Sequence, residues 1–143
     1  MFKKITVAYN ESPQAARAFA QAIYLAKALG SELSAVTVRE DLPPYTAFAA
    51  AADPSLPHDL LQYQQSHSDR MHSEARDTAL REGLKLETQL LDAESVDAII
   101  RFLRDYKTDL LVIGLHRHAR ISRLWSKVYE VALEAPCSVL GVH

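Results

Sequence analysis

Short apolar runs alternate with amphipathic stretches along this chain, and the alternation sets out its elements. Ile5-Thr6-Val7-Ala8-Tyr9 reads as a strand. Ser12 then offers a helix N-cap with Pro13 at the first helical position. Ala16, Phe19, Ala20, Ile23 and Ala26 recur at helical spacing, and Gly30 stands where a left-handed cap closes a helix. Glu32 to Val38 is a second strand. Arg39 to His58 holds prolines and no clear period, which predicts a long loop. Within it, the apolar patch Phe48 to Ala52 is either a short helical turn or a contact surface. A long polar helix is expected over Asp59 to Glu82, ending at Gly83, with an inner stripe of Leu61, Ser68, Met71, Ala75 and Ala79. Leu86 to Leu91 reads as the third strand. Val96, Ile99, Ile100 and Leu103 mark a short helix, Leu110 to Gly114 a fourth strand. Leu124, Val128, Val131 and Ala135 mark the last helix, and Ser138 to Val142 the fifth strand.

The resulting order, βαβαβαβαβ, predicts one α/β domain over residues 1–143, an open, mostly parallel sheet with helices on both faces. No internal repeat or low-complexity tract interrupts it. In such sheets ligands sit beyond the carboxyl ends of the strands, where strand order reverses. Two of those ends carry polar equipment: Tyr9-Asn10-Glu11-Ser12 after the first strand, and Gly114 to Lys127 after the fourth.

Composition narrows the function. A net charge of −2 argues against a nucleic-acid binder. The single cysteine, Cys137, excludes an internal disulfide and a cysteine-based metal site. It is read as a small buried hydrophobe in a reducing compartment. The opening Met1-Phe2-Lys3-Lys4 leads straight into a strand and not into the apolar core of a leader. No apolar run approaches the roughly 20 residues that span a bilayer. A cytoplasmic protein without membrane contact is expected.

The segment from Gly114 to Lys127 carries His116, Arg117, His118, Arg120, Arg123 and Lys127 without one acidic residue. A glycine ending a buried strand before basic residues and a helix is a place where α/β proteins bind anions. Yet no further glycine follows to let main-chain amides wrap a phosphate. Two readings stay open: arginine side chains replacing the backbone cradle, or no anion site at all, the segment being a solvated basic loop or its cations pairing with acids on a partner.

Three segments together resemble the universal stress protein family across the whole chain. They are the strand with Tyr9-Asn10-Glu11-Ser12-Pro13, the strand Asp109-Leu110-Leu111-Val112-Ile113-Gly114, and the ending Ala135-Pro136-Cys137-Ser138-Val139-Leu140. The resemblance implies a five-stranded sheet of order 3-2-1-4-5. It also implies a homodimer in which the Ser138 to Val142 strands of two subunits pair antiparallel. One branch of the family binds ATP through Gly-x2-Gly-x9-Gly followed by Ser or Thr, with an Asp after the first strand. Here Gly114 matches the first glycine, but Arg117 stands at the second. Aligned from Ala135-Pro136-Cys137, Trp125 falls at the third and Ser126 at the hydroxyl, two residues short of the pattern. Asn10 replaces the Asp, and Glu11 adds a negative charge. Arg117 and Trp125 cannot bring backbone N–H groups against a phosphate as glycine does. The chain is therefore similar to the branch without the ATP motif.

Individual residues keep two readings each. Asn10 either bonds an adenine or ribose or caps its own loop as an Asx-turn. Ser126 donates to a phosphate or is a surface hydroxyl. Trp125 anchors a partner or packs under the last helix. His116 and His118 lack a third metal ligand. His67 and His72 are five apart, off the four-residue spacing of a helical metal pair, and are expected to be exposed or half-buried. No metal or catalytic residue is assigned, since nucleophile-elbow, phosphate-loop and zinc-pair motifs are missing. The expected function is a non-enzymatic regulatory or stress-response dimer. It would act through contacts with an unidentified protein partner and bind ATP weakly or not at all. The alternative is an adenine-nucleotide binder, for ATP or AMP, with adenine near Asn10 and Val38 and phosphates near Gly114, Arg117, Ser126 and Lys127. A hydrolase or transferase on the same fold is a third reading.

Overall fold

The computed structural model describes residues 1–39, 45–92, 96–115 and 122–143, and only the backbone of 122–126. The strands are β1 (Lys4–Ala8), β2 (Glu32–Val38), β3 (Leu86–Leu91), β4 (Leu110–Gly114) and β5 (Ser138–Val142). The helices are α1 (Pro13–Leu29), α2 (Thr46–Ala52), α3 (Leu56–Arg81), α4 (Val96–Tyr106) and α5 (Ser122–Glu134). All strand pairings are parallel, in the order β3-β2-β1-β4-β5. The chain steps outward from β1 to β3, then crosses back to β4. Right-handed crossovers therefore put α1 and α3 on one face and α4 and α5 on the other.

Each face has its own core. On the first, Phe19, Ile23 and Ala26 of α1 and Ala75 and Ala79 of α3 cover Ile5, Val7, Leu33, Ala35 and Val112. On the second, Ile100 and Leu103 of α4 and Val131 of α5 meet Leu111, with Cys137 and Val139 partly buried beside them. Burial pushes the Cys137 thiol upward, as its reading as a small hydrophobe requires. Among the buried hydroxyls three form one row: Thr6 Oγ1 lies 2.8 Å from Ser34 Oγ and 2.7 Å from Thr108 Oγ1. None of the three is left without a partner.

The predicted caps of α1 are present. Ser12 accepts the Ala15 amide at 3.1 Å with Pro13 in the first turn, and Gly30 adopts φ 66° while its amide bonds Ala26 O. Gly83, at φ 77°, follows α3 as expected. Two expectations need correction. The stretch from Arg39 to His58 is not one long loop, because Thr46–Ala52 is a helix and α3 already starts at Leu56. Pro57 lies in the first turn of α3, where its missing N–H costs nothing, so this proline starts a helix instead of marking a loop. The inner stripe of α3 also shifts. Leu61 is exposed, and His72 is buried at 5% exposure among Ser68, Met71, Ala75 and Ala79.

Candidate functional site

The register brings three of the six sequence-nominated residues to one place. Ala8 pairs with Val36 and Val7 with Val112, so the chain just past β1 lies between the ends of β2 and β4. Asn10, Val38 and Gly114 thus meet at the carboxyl edge, on either side of the strand where the order reverses. Ser126 lies on the backbone of α5, and Lys127 is a partly buried residue of the same helix. Arg117, with His116, His118 and Arg120, lies outside the described residues. Of Trp125 and Arg123 only the position within α5 is described.

Gly114 has a packing reason of its own. A Cβ built there would lie 2.6 Å from the carbonyl carbon of Gln14 and 2.9 Å from the amide nitrogen of Ala15. The first turn of α1 therefore rests directly on this residue, and only a side chain of hydrogen allows it. Asn10 turns its side chain onto its own loop: Oδ1 accepts the Ser12 amide at 2.9 Å, the Asx-turn geometry. Asn10 and Ser12 thus hold the loop and start the helix in series.

Behind this loop stands a set of contacts that the sequence pattern did not nominate. The Tyr9 amide donates to Val36 O at 2.9 Å, and the Tyr9 ring tilts against Phe19 at 5.1 Å. Thr37 Oγ1 donates to Tyr9 O at 2.8 Å and lies 2.7 Å from His72 Nε2. Since the threonine proton goes to the carbonyl, its oxygen accepts from His72, which must carry a proton on Nε2. One turn and a half earlier on α3, His67 Nε2 lies 2.8 Å from Glu11 Oε1. Of the two histidines on this helix, His67 thus meets the loop directly and His72 reaches it only through Thr37. A helical reading of 68, 72, 75 and 79 would have placed His72 on the inner stripe, so this signal was available. The Thr37 bond, between elements far apart in sequence, was not.

Burial, then the Arg76 charge, holds the His72 imidazole below its usual range, with Asp69 opposing. Burial raises Tyr9, and the charges of Glu74 and Glu11 add to it. Arg39 Nη2 contacts Asp92 Oδ1 at 2.5 Å, and Arg76 donates to Thr88 at 2.6 Å. Those arginines, with Asp69 and Asp92, line a polar cleft of about 380 Å3 on the α3 side of β2 and β3. Among the described residues no group of three or more His, Cys, Asp or Glu is placed to hold a metal.

An open, all-parallel sheet of order β3-β2-β1-β4-β5 with helices on both faces defines a doubly wound α/β protein. The sequence model of the universal stress protein family matches residues 1–143, and the chain belongs to that family. A Thermus aquaticus relative, described as the universal stress protein in the QAH/OAS sulfhydrylase 3′ region, is 31% identical over 145 residues, covering 100% of both chains. The universal stress protein UspA of Lactobacillus plantarum superposes with a TM-score of 0.78 at 22% identity, over 99% of this chain and 98% of its own. An Archaeoglobus fulgidus universal stress protein in complex with dAMP superposes at 0.69 with 18% identity, over 100% and 98%. The five-stranded order expected from the sequence resemblance is thus the order found. No helix among the described residues is long and apolar enough to cross a membrane.

Proposed function

We propose that this protein is a non-enzymatic regulatory dimer of the family, acting in the cytoplasm through contacts with other proteins, and that it holds ATP weakly or not at all. Gly114 carries the reading. Its missing side chain accommodates the first turn of α1, and the sequence supplies no glycine at Arg117 or Trp125 to continue a main-chain cradle. Asn10 in turn spends its carbonyl on Ser12. Equilibrium dialysis against ATP, ADP and AMP tests this. The expected result is no ATP binding tighter than about 10 μM, roughly −7 kcal/mol. Tighter binding, with ATP preferred over AMP, overturns it.

A second reading follows from the dAMP carried by the Archaeoglobus protein. A ligand with a single phosphate needs less of a cradle than a triphosphate. Adenine would lie near Asn10 and Val38, and its phosphate near Ser126, Lys127 and Arg117. In this reading AMP binds better than ATP, and both Arg117→Ala and added salt weaken it.

The dimer contact proposed is β5. Among the described residues it pairs with β4 on one side and with no strand on the other. Its sequence, Ser138-Val139-Leu140-Gly141-Val142, carries no charge, and an uncharged edge invites a second strand. Tyr129 and Leu133 of the adjoining α5 are also exposed, at 65% and 68%.

A further inference from the structure

Helix α1 is more apolar than its place on the surface requires. Its 17 residues carry two charges, Arg17 and Lys27, and Arg17 is taken up by the main-chain oxygen of His143. Ala16, Ala20, Tyr24 and Ala28 stand four apart in one row, and all are exposed, Tyr24 at 68%. A helix apolar on every side belongs under cover. The row borders an open groove of about 810 Å3 between α1 and α3. Buried Phe19 and Ile23 form its floor. Tyr9 stands at one end, and the Lys27 to Glu82 ion pair, 2.8 Å long, closes the other. From this geometry we propose that the groove receives an amphipathic helix of a partner protein. That helix lies antiparallel to α1, with its apolar stripe on the alanine row, acidic side chains in its first turn and basic ones in its last.

Shape selects a helix. Both walls are helices, whose backbone groups are bonded internally, so no strand can be added there and recognition runs through side chains. Ala16 to Ala28 spans about 18 Å at 1.5 Å per residue, room for about three turns. A row of three alanines and a tyrosine is low, and a ridge of larger side chains on another helix settles over it. Charge sets the direction. α1 and α3 both run against the parallel strands, so they point the same way. Each carries a cation in its last turn, Lys27 and Arg81, and Arg81 donates to Thr78 on the groove wall at 3.2 Å. Glu82 offsets one of these charges and leaves that end positive. At the other end the charges of Glu11 and Glu74 both reach Tyr9. His67 faces Glu11, and even a proton on it leaves that end negative. The helix dipole favours acid at the start of a helix and base at its end. Laid antiparallel, such a helix sets acid against Lys27 and Arg81 and base against Glu11 and Glu74. Laid parallel, it meets like charge at both ends. The groove is separate from the crevice but shares Tyr9 with it.

The inference rests on the reading of a protein that works through contacts, and its test separates the two. A display library of peptides about 14 residues long is selected on the full native chain with Ala20→Arg as the competitor. Arginine suits an exposed helical position and stands in the low row; Ala16→Arg serves as a second variant, and thermal melts confirm that both fold. The enriched peptides are expected to carry apolar residues at helical spacing, acid first and base last. Made synthetically, they should gain helical circular dichroism on binding and bind either variant at least tenfold more weakly. Exchanging the charged ends of the best peptide should weaken it severalfold. Several results overturn the inference: no peptide that prefers the native chain, an enriched set that is proline-rich or without helical period, or indifference to the exchanged ends. A sedimentation mass that falls in Ala20→Arg also overturns it, by giving the groove to a second copy. Peptides that bind native and variant chains alike sink the groove but leave the reading of a contact protein standing. Tight ATP binding in dialysis, beside peptide binding that depends on Ala20, does the reverse for the nucleotide part of that reading.

Discussion

Gly114 shows how one atom can serve packing and be taken for chemistry. In sequence it reads as the start of a phosphate loop; in space it is where helix α1 touches the sheet, with Gln14 too close for any Cβ. Gly114→Ala must therefore push α1 away from β4. The expected loss is about 1–3 kcal/mol, read as a lower urea midpoint with an unchanged slope. Asn10 and His72 teach the same lesson from the polar side. The Asx-turn of Asn10 is local, two residues long, and was one of the two readings its sequence context allowed. His72 was misplaced because its spacing to His67 was weighed against a metal pair and not against Ser68, Ala75 and Ala79, which share its face. Its partner Thr37 lies 35 residues away, a contact that no local pattern encodes.

At the level of elements, the strands and α1 were legible because their signals are strong and short-ranged. Continuous apolar runs such as Leu110 to Ile113 are what a doubly covered parallel strand needs, and Ser12, Pro13 and Gly30 bracket α1 by their backbone preferences. The stretch between β2 and α3 was legible only in part: the short helical turn allowed at Phe48 to Ala52 is there, within α2. Its prolines suggested a loop, whereas Pro57 opens α3 and the alanines after Thr46 form α2. That helix buries only Thr46 and leaves Phe48 85% exposed, so no amphipathic period announces it. The hydroxyl row of β1, β2 and the turn before β4 makes a prediction at this scale. Thr6 bridges Ser34 and Thr108 inside the sheet. Thr6→Val keeps the shape and removes the bridge, taking the bond to Thr108 and leaving Ser34 only its longer bond to Ile5 O at 3.5 Å. The expected cost is about 1–3 kcal/mol. Restoring consistency with Thr6→Val, Ser34→Ala and Thr108→Val together should recover much of it, as a thermal melt would register. Additivity of the three losses would refute the bridge.

For the whole molecule the two rims of the sheet differ. At the outer rim β3 carries Glu87 and Gln89, both exposed, and Arg76 reaches from α3 to its Thr88. At the opposite rim β5 carries no charge, and Leu140, in register with Val112, is 37% exposed. If two copies meet along β5, Leu140→Lys should raise the dissociation constant at least tenfold and leave the monomer folded. Sedimentation velocity across a dilution series would measure it; an unchanged mass would rule out that contact. The inequality of the rims has one more consequence. A sheet sticky on both sides can add copies without end, but a second molecule laid against β5 as proposed would present only its β3 side outward, where acid and amide side chains discourage a third. In the proposed dimer growth would stop at a ten-stranded sheet shared by two chains, and the fold would carry its own protection against forming fibres.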